Sequence, residues 1–317
     1  MNYYPTVDIE VTSYCNAKCP FCIRTFVNFK PKHMDLEIIK KLPFERIGCV
    51  LLIGNKGDAI FYDRLNELLS YIIENFKCEI RIFTNASAHN VDWWKNLWKI
   101  IQGRGCIIYA LDGLKDTHSL YRIGTKFDKI IENVEAFNKA GGYSICQFIK
   151  FKHNEHQIDD IRKLIYKIGS KTLWIKESRA YNDVLKRPEG NATKSELCKQ
   201  QNDNTPIICK FLEQHSFYIS VDGEVRPCCF MGDDDFNSDL FHNLIRDIKY
   251  PQHIIAYKRD PKRLNLKYYS VEEILRSDYF KAITKNYKKL TRCNERCKVT
   301  FDDIVTSENL DSLGSEI

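Results

Sequence analysis

The stretch SYCNAKCPFC, residues 13–22, carries Cys15, Cys19 and Cys22 and no fourth cysteine. It follows directly on TVDIEVT (6–12), whose alternation and β-branched content read as a strand. In parallel α/β architectures ligands gather at the C-terminal ends of strands, so the position of these thiols points to a reactive site. Their number sharpens the reading. A structural zinc site closes with four ligands, and an iron–sulfur cube also takes four. Three thiolates at C-x3-C-x2-C therefore leave one position open, which is useful only where something else binds. Zinc or an incidental cysteine group is the alternative.

Working outward, apolar or β-branched runs recur at CVLLIG (49–54), CEIRIFTN (78–85), CIIYALDG (106–113), YSICQFIKF (143–151) and TLWIKES (172–178). Segments with helical spacing lie between them: DRLNELLSYIIENF (63–76), FDKIIENVEAFNKAGG (127–142) and QIDDIRKLIYKIG (157–169). In VDWWKNLWKII (91–101), Val91, Trp94, Trp98 and Ile101 share one helical face that should pack on the sheet. Strand–helix alternation repeated six times implies a parallel sheet, either open or closed into a barrel.

The 317 residues suffice for one large domain or one with an annex, and 44% hydrophobic content is ordinary for a globular chain. No signal-peptide pattern opens the sequence, and no run approaches 18 apolar residues, so a cytoplasmic protein without a membrane span is expected. Thirteen cysteines in a chain of this length fit metal binding better than a secreted disulfide framework. A net charge of +6 does not by itself imply nucleic acid as a partner.

C-x3-C-x2-C after the first strand, with Phe21 just before the third cysteine, resembles the signature of the radical S-adenosylmethionine (SAM) enzymes. The resemblance implies a partial (β/α)6 TIM-like barrel over residues 1–185. It further implies a [4Fe–4S] cluster on Cys15, Cys19 and Cys22 whose open iron is chelated by SAM, cleaved reductively to a 5′-deoxyadenosyl radical. The later strand ends are similar to family segments. Gly54, Gly57 and Asp58 stand where a Gly-Gly-Glu-type turn holds the methionine amino group. Asn85 follows Thr84 as in Thr-Asn-Gly, with Ala86 replacing the glycine. Asp112, Gly113, His118 and Arg122 match Ser-x-Asp-Gly and its His and Arg, with Ala110 in place of the serine. Gln147 on the fifth strand would reach the SAM ribose or the substrate, with Asn154 opening the next helix.

From SRAYNDVLKRPEG onward the composition turns polar, and residues 186–205 read as a linker. After it, HSFYISVDGEVRPCCF (215–230) reads as two strands about a turn in which Asp222 and Gly223 supply left-handed backbone. Cys209, 13 residues, Gly223, four residues and Cys228 resemble the opening of the SPASM and Twitch extensions. Only Cys293 and Cys297 follow as a close pair, which with Cys209 and Cys228 makes four ligands for one auxiliary [4Fe–4S] cluster in a smaller α+β domain over 206–317. Zinc suits the same four. The insertion around YKRDPKRLNLKYY (257–269) reads as a solvated basic face. Cys229 and Cys198 are the candidate catalytic thiols. Cys49, Cys78, Cys106 and Cys146 read as core.

The resemblance implies hydrogen abstraction from a small-molecule (sugar or nucleotide-like) or peptide substrate, oxidative or peptide-modifying. An external electron donor such as flavodoxin or ferredoxin is the expected partner, and nucleic acid is not. A start at the first strand tilts the expectation toward a small molecule or a peptide delivered by a partner. A peptide epimerase using a cysteine hydrogen donor is one alternative, a non-catalytic zinc protein binding nucleic acid another. No residue after the sixth strand is assigned as general base; Lys176, Glu177 and Arg179 are only in its neighbourhood.

Overall fold

The computed structural model describes residues 3–178, 180–189, 197, 200–201, 204–232, 252–290, 293–294, 297–298 and 305–313. Six strands, β1 (Tyr4–Ile9), β2 (Ile47–Leu52), β3 (Glu79–Thr84), β4 (Gly105–Ala110), β5 (Ser144–Lys150) and β6 (Thr172–Glu177), pair in parallel and in chain order. Helices α1 (Leu65–Asn75), α2 (Val91–Ile101), α3 (Phe127–Lys139) and α4 (Ile158–Lys167) connect successive strands from β2 to β6. Each buries its apolar stripe, as Leu65, Leu68, Leu69 and Ile72 do on α1. The start of α2 is set by Asn90, whose side chain accepts from Trp93 N at 2.9 Å.

The sheet continues past both ends of this set. On the β1 side lies the hairpin of β7 (Phe217–Ile219) and β8 (Val225–Arg226), with β7 parallel to β1. On the β6 side β9 (Val305–Asn309) pairs antiparallel, so among the described residues β8 and β9 form the two edges of a nine-stranded sheet. The architecture is a partial (β/α)6 TIM-like barrel extended by strands from the C-terminal region. In the hairpin turn Gly223 has φ +80° and meets the left-handed expectation, whereas Asp222 is not left-handed.

Alternation along the strands gives the sheet two faces. Ile107 and Tyr109 of β4 and Cys146 and Phe148 of β5 pack into the main core with Trp94, Phe137 and Ile161 of the helices. Cys106, Ile108 and Ile145, from the intervening positions, form a separate cluster with Phe83 and Trp174 on the face turned away from the helices. Cys49, Cys78, Cys106 and Cys146 are all buried free thiols, as expected. On α2 the buried side chains are Trp94, Leu97 and Ile101, with Trp98 half-buried against the core.

The segment 257–269 is only in part the solvated face expected: Leu264 and Leu266 are buried in the main core, while Arg263 lies over Tyr269 at 4.4 Å and Lys262 over Tyr268 at 5.5 Å. A cavity of about 330 Å³ lined by Tyr257, Arg263, Arg276 and Tyr279 carries none of the motif residues. No helix among the described residues is long and apolar enough to cross a membrane. Cys198 and Arg179 lie outside the described residues.

Candidate active site

The loop after β1 is held in shape before any ligand arrives. Arg24 Nη1 donates to the carbonyls of Cys15 and Ala17 at 3.0 and 3.2 Å, and Thr25 Oγ1 to that of Cys19 at 2.9 Å. Two of the sulfurs face donors: Ala17 N and Asn85 Nδ2 lie 3.4 and 3.6 Å from Cys15 Sγ, and Arg122 Nη1 lies 3.7 Å from Cys19 Sγ. Phe21 packs beside Tyr121, 6.2 Å between ring centres, in an apolar patch shared with the three cysteines and Phe151. Burial, with Asp58 nearby, pushes the Cys15 thiol up to about 12, and burial also raises that of Cys22. As free groups both are protonated, so iron binding must release their protons. Among the described residues no three His, Cys, Asp or Glu side chains close on a single ion. The site instead offers three thiols with amide and guanidinium donors aimed at them, a donor set suited to thiolates on a cluster.

At the end of β2 the loop Gly54–Gly57 turns back tightly. A Cβ on Gly54 would lie 1.7 Å from Gly57 O, and one on Gly57 would lie 1.9 Å from Thr12 O, so both positions need glycine for backbone approach. Asp58, 5% exposed, accepts from Asn85 N at 2.6 Å and Ile60 N at 3.3 Å, tying the ends of β2 and β3 together. Burial raises its carboxyl above the ordinary value. Asn85 thereby points Nδ2 at Cys15 Sγ and Asn16 Oδ1. Ala86 adopts φ +56°, the conformation for which glycine is frequent at this position, with its carbonyl held by Asn133 Nδ2 at 2.8 Å.

At the end of β4, Asp112 is fully buried. Its carboxylate accepts from Arg122 Nε and Ile149 N, and Asn154 Nδ2 donates to its carbonyl at 3.0 Å. Asn154 thus braces Asp112; its side chain makes no helix-capping bond. His118 Nδ1 accepts from Asp112 N at 3.2 Å, and Nε2 pairs with Thr125 Oγ1 at 2.9 Å. Burial pushes His118 down to about 4. A depressed histidine contributes stability that is complete above its unfolded value near 6.5 and is lost as pH falls toward 4. Denaturation curves should therefore lose up to about 3 kcal/mol across that window, and His118→Gln should flatten this component.

Gln147 lies on the sheet face away from the helices, where Oε1 accepts from Lys176 Nζ at 2.6 Å. Two further residues escaped the sequence reading. Glu10, 1% exposed at the end of β1, accepts from Lys56 N and from Tyr218 OH at 2.9 Å, joining the Gly54–Gly57 loop to β7. Asn55 bridges the two cysteine regions: its carbonyl lies 3.9 Å from Cys22 Sγ, and its Nδ2 donates to Cys229 O at 3.1 Å. An acid alternating with apolar residues in VDIEV was the available signal for Glu10; nothing local marked Asn55.

The C-terminal cysteines converge. Cys228 packs on the edge of the main core and feels the thiols of Cys229, Cys297 and Cys293, while burial raises its own. Cys297 N donates to Cys293 O at 2.9 Å, and Ile208 N, beside Cys209, donates to Cys297 O at 2.8 Å. Cys209, Cys228, Cys293 and Cys297 are thus gathered in one region, with Cys229 opening the short helix Cys229–Gly232 toward Asn55.

A thiol triplet in the loop after the first strand of a partial (β/α)6 barrel, with a second cysteine group against the same loops, is the arrangement expected of an iron–sulfur protein. The radical SAM superfamily model matches residues 9–165, and the iron–sulfur cluster-binding SPASM domain matches 209–298. The chain belongs to the radical SAM superfamily, in the branch with a C-terminal SPASM/Twitch-type domain. Its cofactors are a SAM-binding [4Fe–4S] cluster, SAM and an auxiliary [4Fe–4S] cluster. It is similar to the antilisterial bacteriocin subtilosin biosynthesis protein AlbA of Bacillus subtilis (strain 168), 22% identical over 267 residues, covering 75% of this chain and 58% of AlbA. The chain therefore spans little more than half of that relative. Among solved structures, SuiB of Streptococcus suis bound to SAM has a TM-score of 0.57 at 16% identity, covering 79% of this chain and 67% of SuiB. Native anSMEcpe with bound AdoMet has a TM-score of 0.55 at 16% identity, covering 92% of this chain and 88% of that one. SuiB has also been solved with its precursor peptide SuiA.

Proposed function

We propose that this radical SAM enzyme abstracts hydrogen from a peptide and that its auxiliary cluster region takes part in completing the modification. The carrying observation is Asn55, which spans from the Cys22 loop to Cys229 and sets the second cysteine group against the first. The similarity to AlbA, a bacteriocin biosynthesis protein, supports the peptide.

When bound, the SAM cluster and SAM supply a 5′-deoxyadenosyl radical, and the protein positions the hydrogen and excludes water. In this reading Cys15, Cys19 and Cys22 hold the cluster, with Asn85 and Arg122 donating toward the first two sulfurs. The Gly54–Gly57 backbone would receive the methionine amino group of bound SAM. Asp58 aligns this turn with Asn85, and Asp112, braced by Arg122 and Asn154, fixes the end of β4. A full set of Cys209, Cys228, Cys293 and Cys297 leaves no open position for substrate at the auxiliary site and favours electron acceptance there. The external reductant is a small electron carrier such as flavodoxin or ferredoxin.

Cys229, whose main-chain carbonyl Asn55 holds near the Cys22 loop, is the candidate for a second reading, epimerisation, in which its thiol would return a hydrogen atom to the peptide. The two separate by mass. With SAM, dithionite and a candidate precursor peptide in deuterated water, oxidation removes two hydrogens from the product. Epimerisation gains one solvent deuterium and loses it in Cys229→Ala. A peptide returned unchanged while a sugar or nucleotide is consumed overturns the proposal.

A further inference from the structure

The positive charge of the chain is concentrated away from the six barrel strands. From Gln252 to Leu290 ten lysines and arginines stand against four aspartates and glutamates, a surplus of six that equals the net charge of all 317 residues. The rest of the chain is therefore balanced, and this segment is where an anion is drawn. The cavity of about 330 Å³ lies within it, between the last turn of the helix Gln252–Arg259 and the first turn of the helix Asp278–Asn286. Arg259, Arg263, Arg276 and Lys281 line it, with Asp260 and Asp278 as its acids. Asp278 holds Lys281 at 3.3 Å, whereas Arg259 and Arg276 make no ion pair among the described residues.

Ser277 on the same wall has no internal explanation. It is 5% exposed and precedes the helix Asp278–Asn286 with the extended backbone of an N-cap, φ −66° and ψ 162°. A serine in that position ordinarily accepts from a first-turn N–H, as Ser270 does from Glu273 N at 3.3 Å one helix earlier. Ser277 makes no such bond, and its Oγ is buried without a hydrogen-bond partner. Native structures seldom carry a buried hydroxyl unpaired, because its lost hydration is then uncompensated. The opening N–H groups of the helix have no intrahelical acceptor either. One small cavity is thus walled by a helix N-terminus, an unused hydroxyl and two unpaired guanidinium forks.

These donors select among anions. A carboxylate has two oxygens, and a single arginine fork satisfies it. A phosphate monoester carries close to two negative charges and three terminal oxygens, enough for both arginines and for the hydroxyl or the helix N–H groups. The cavity is at the small end of ligand pockets, and its two carboxylates repel an extended polyanion. We propose that it binds the phosphate of a small phosphorylated molecule, held by Arg259, Arg276 and Ser277 at the start of the helix Asp278–Asn286. Arg263 is fixed beside them by the Glu273 carbonyl at 3.1 Å and the Tyr269 ring at 4.4 Å. The site is separate from that for SAM and does not depend on the peptide reading, since no cysteine of either group lines it.

The test is calorimetric titration of the full chain, reconstituted anaerobically and desalted, at about 0.15 M salt, where diffuse surface attraction is screened. Methyl phosphate should bind one to one, and saturating SAM should leave its affinity unchanged. Acetate should bind about tenfold more weakly or not at all. Arg276→Met should weaken methyl phosphate about tenfold or more, the loss expected for a charged hydrogen bond, whereas Lys285→Met, which removes the same charge at the far end of the helix, should not. Ser277→Ala should weaken methyl phosphate about threefold or more yet melt no lower than the parent without ligand, because the hydroxyl has no partner to lose. No binding of methyl phosphate, its displacement by SAM or an equal affinity for acetate overturns the proposal. Equal losses in Lys285→Met and Arg276→Met overturn it in favour of a diffuse basic surface. A Ser277→Ala protein that melts lower and binds methyl phosphate as before overturns it in favour of a structural serine.

Discussion

Alanine at Cys15, Cys19 or Cys22 is expected to reduce reductive SAM cleavage by about a thousandfold or more and to halve the iron, from about eight to about four per chain. Three thiolates leave no spare ligand on this loop, so losing any one removes the cluster rather than weakening it. The surrounding fold should survive, because the loop is held by Arg24 and Thr25 through backbone carbonyls that alanine retains. The auxiliary half of the iron should persist, since Cys209, Cys228, Cys293 and Cys297 gather around contacts of their own. Iron analysis and chromatography of 5′-deoxyadenosine on the same preparations check both halves of this expectation.

Arg122→Met should cost about 3–5 kcal/mol in denaturant unfolding, the penalty for leaving a buried charge without its partner. Asp112 is fully buried and Arg122 only 15% exposed, so water cannot replace the guanidinium. Combining Arg122→Met with Asp112→Asn should cost clearly less than the two single losses together, because the double variant strands no charge. Additive losses would mean that the two side chains act independently. Since Arg122 Nη1 also reaches Cys19 Sγ at 3.7 Å, the single variant should hold its SAM cluster less firmly as well.

Much of this was legible in the sequence because it depends on local pattern. The alternating runs placed all six parallel strands to within a few residues, and the period of 91–101 gave α2 with its Trp94 and Ile101 face. The cysteine spacing pointed to the superfamily. What escaped depends on which strands become neighbours. β9, VTSEN, is polar along most of its length because it is an edge strand, so it carried no apolar signal. β7 has three residues, too few to announce that it would extend the barrel sheet beside β1. Glu10 and Asn55 acquire their contacts only from partners on other segments, Tyr218 and Cys229. Asn154 does stand at the start of the turn Glu155–Gln157, but its side chain makes no capping bond and its amide serves the carbonyls of Asp112 and Ile149.

The most direct measurement is anaerobic reconstitution of the intact chain followed by metal analysis and a SAM cleavage assay. Two cubane clusters on one chain predict about eight iron and about eight sulfide per protein, broad absorption at about 400 nm and dithionite-dependent 5′-deoxyadenosine. Stoichiometric zinc with no 5′-deoxyadenosine would contradict the account.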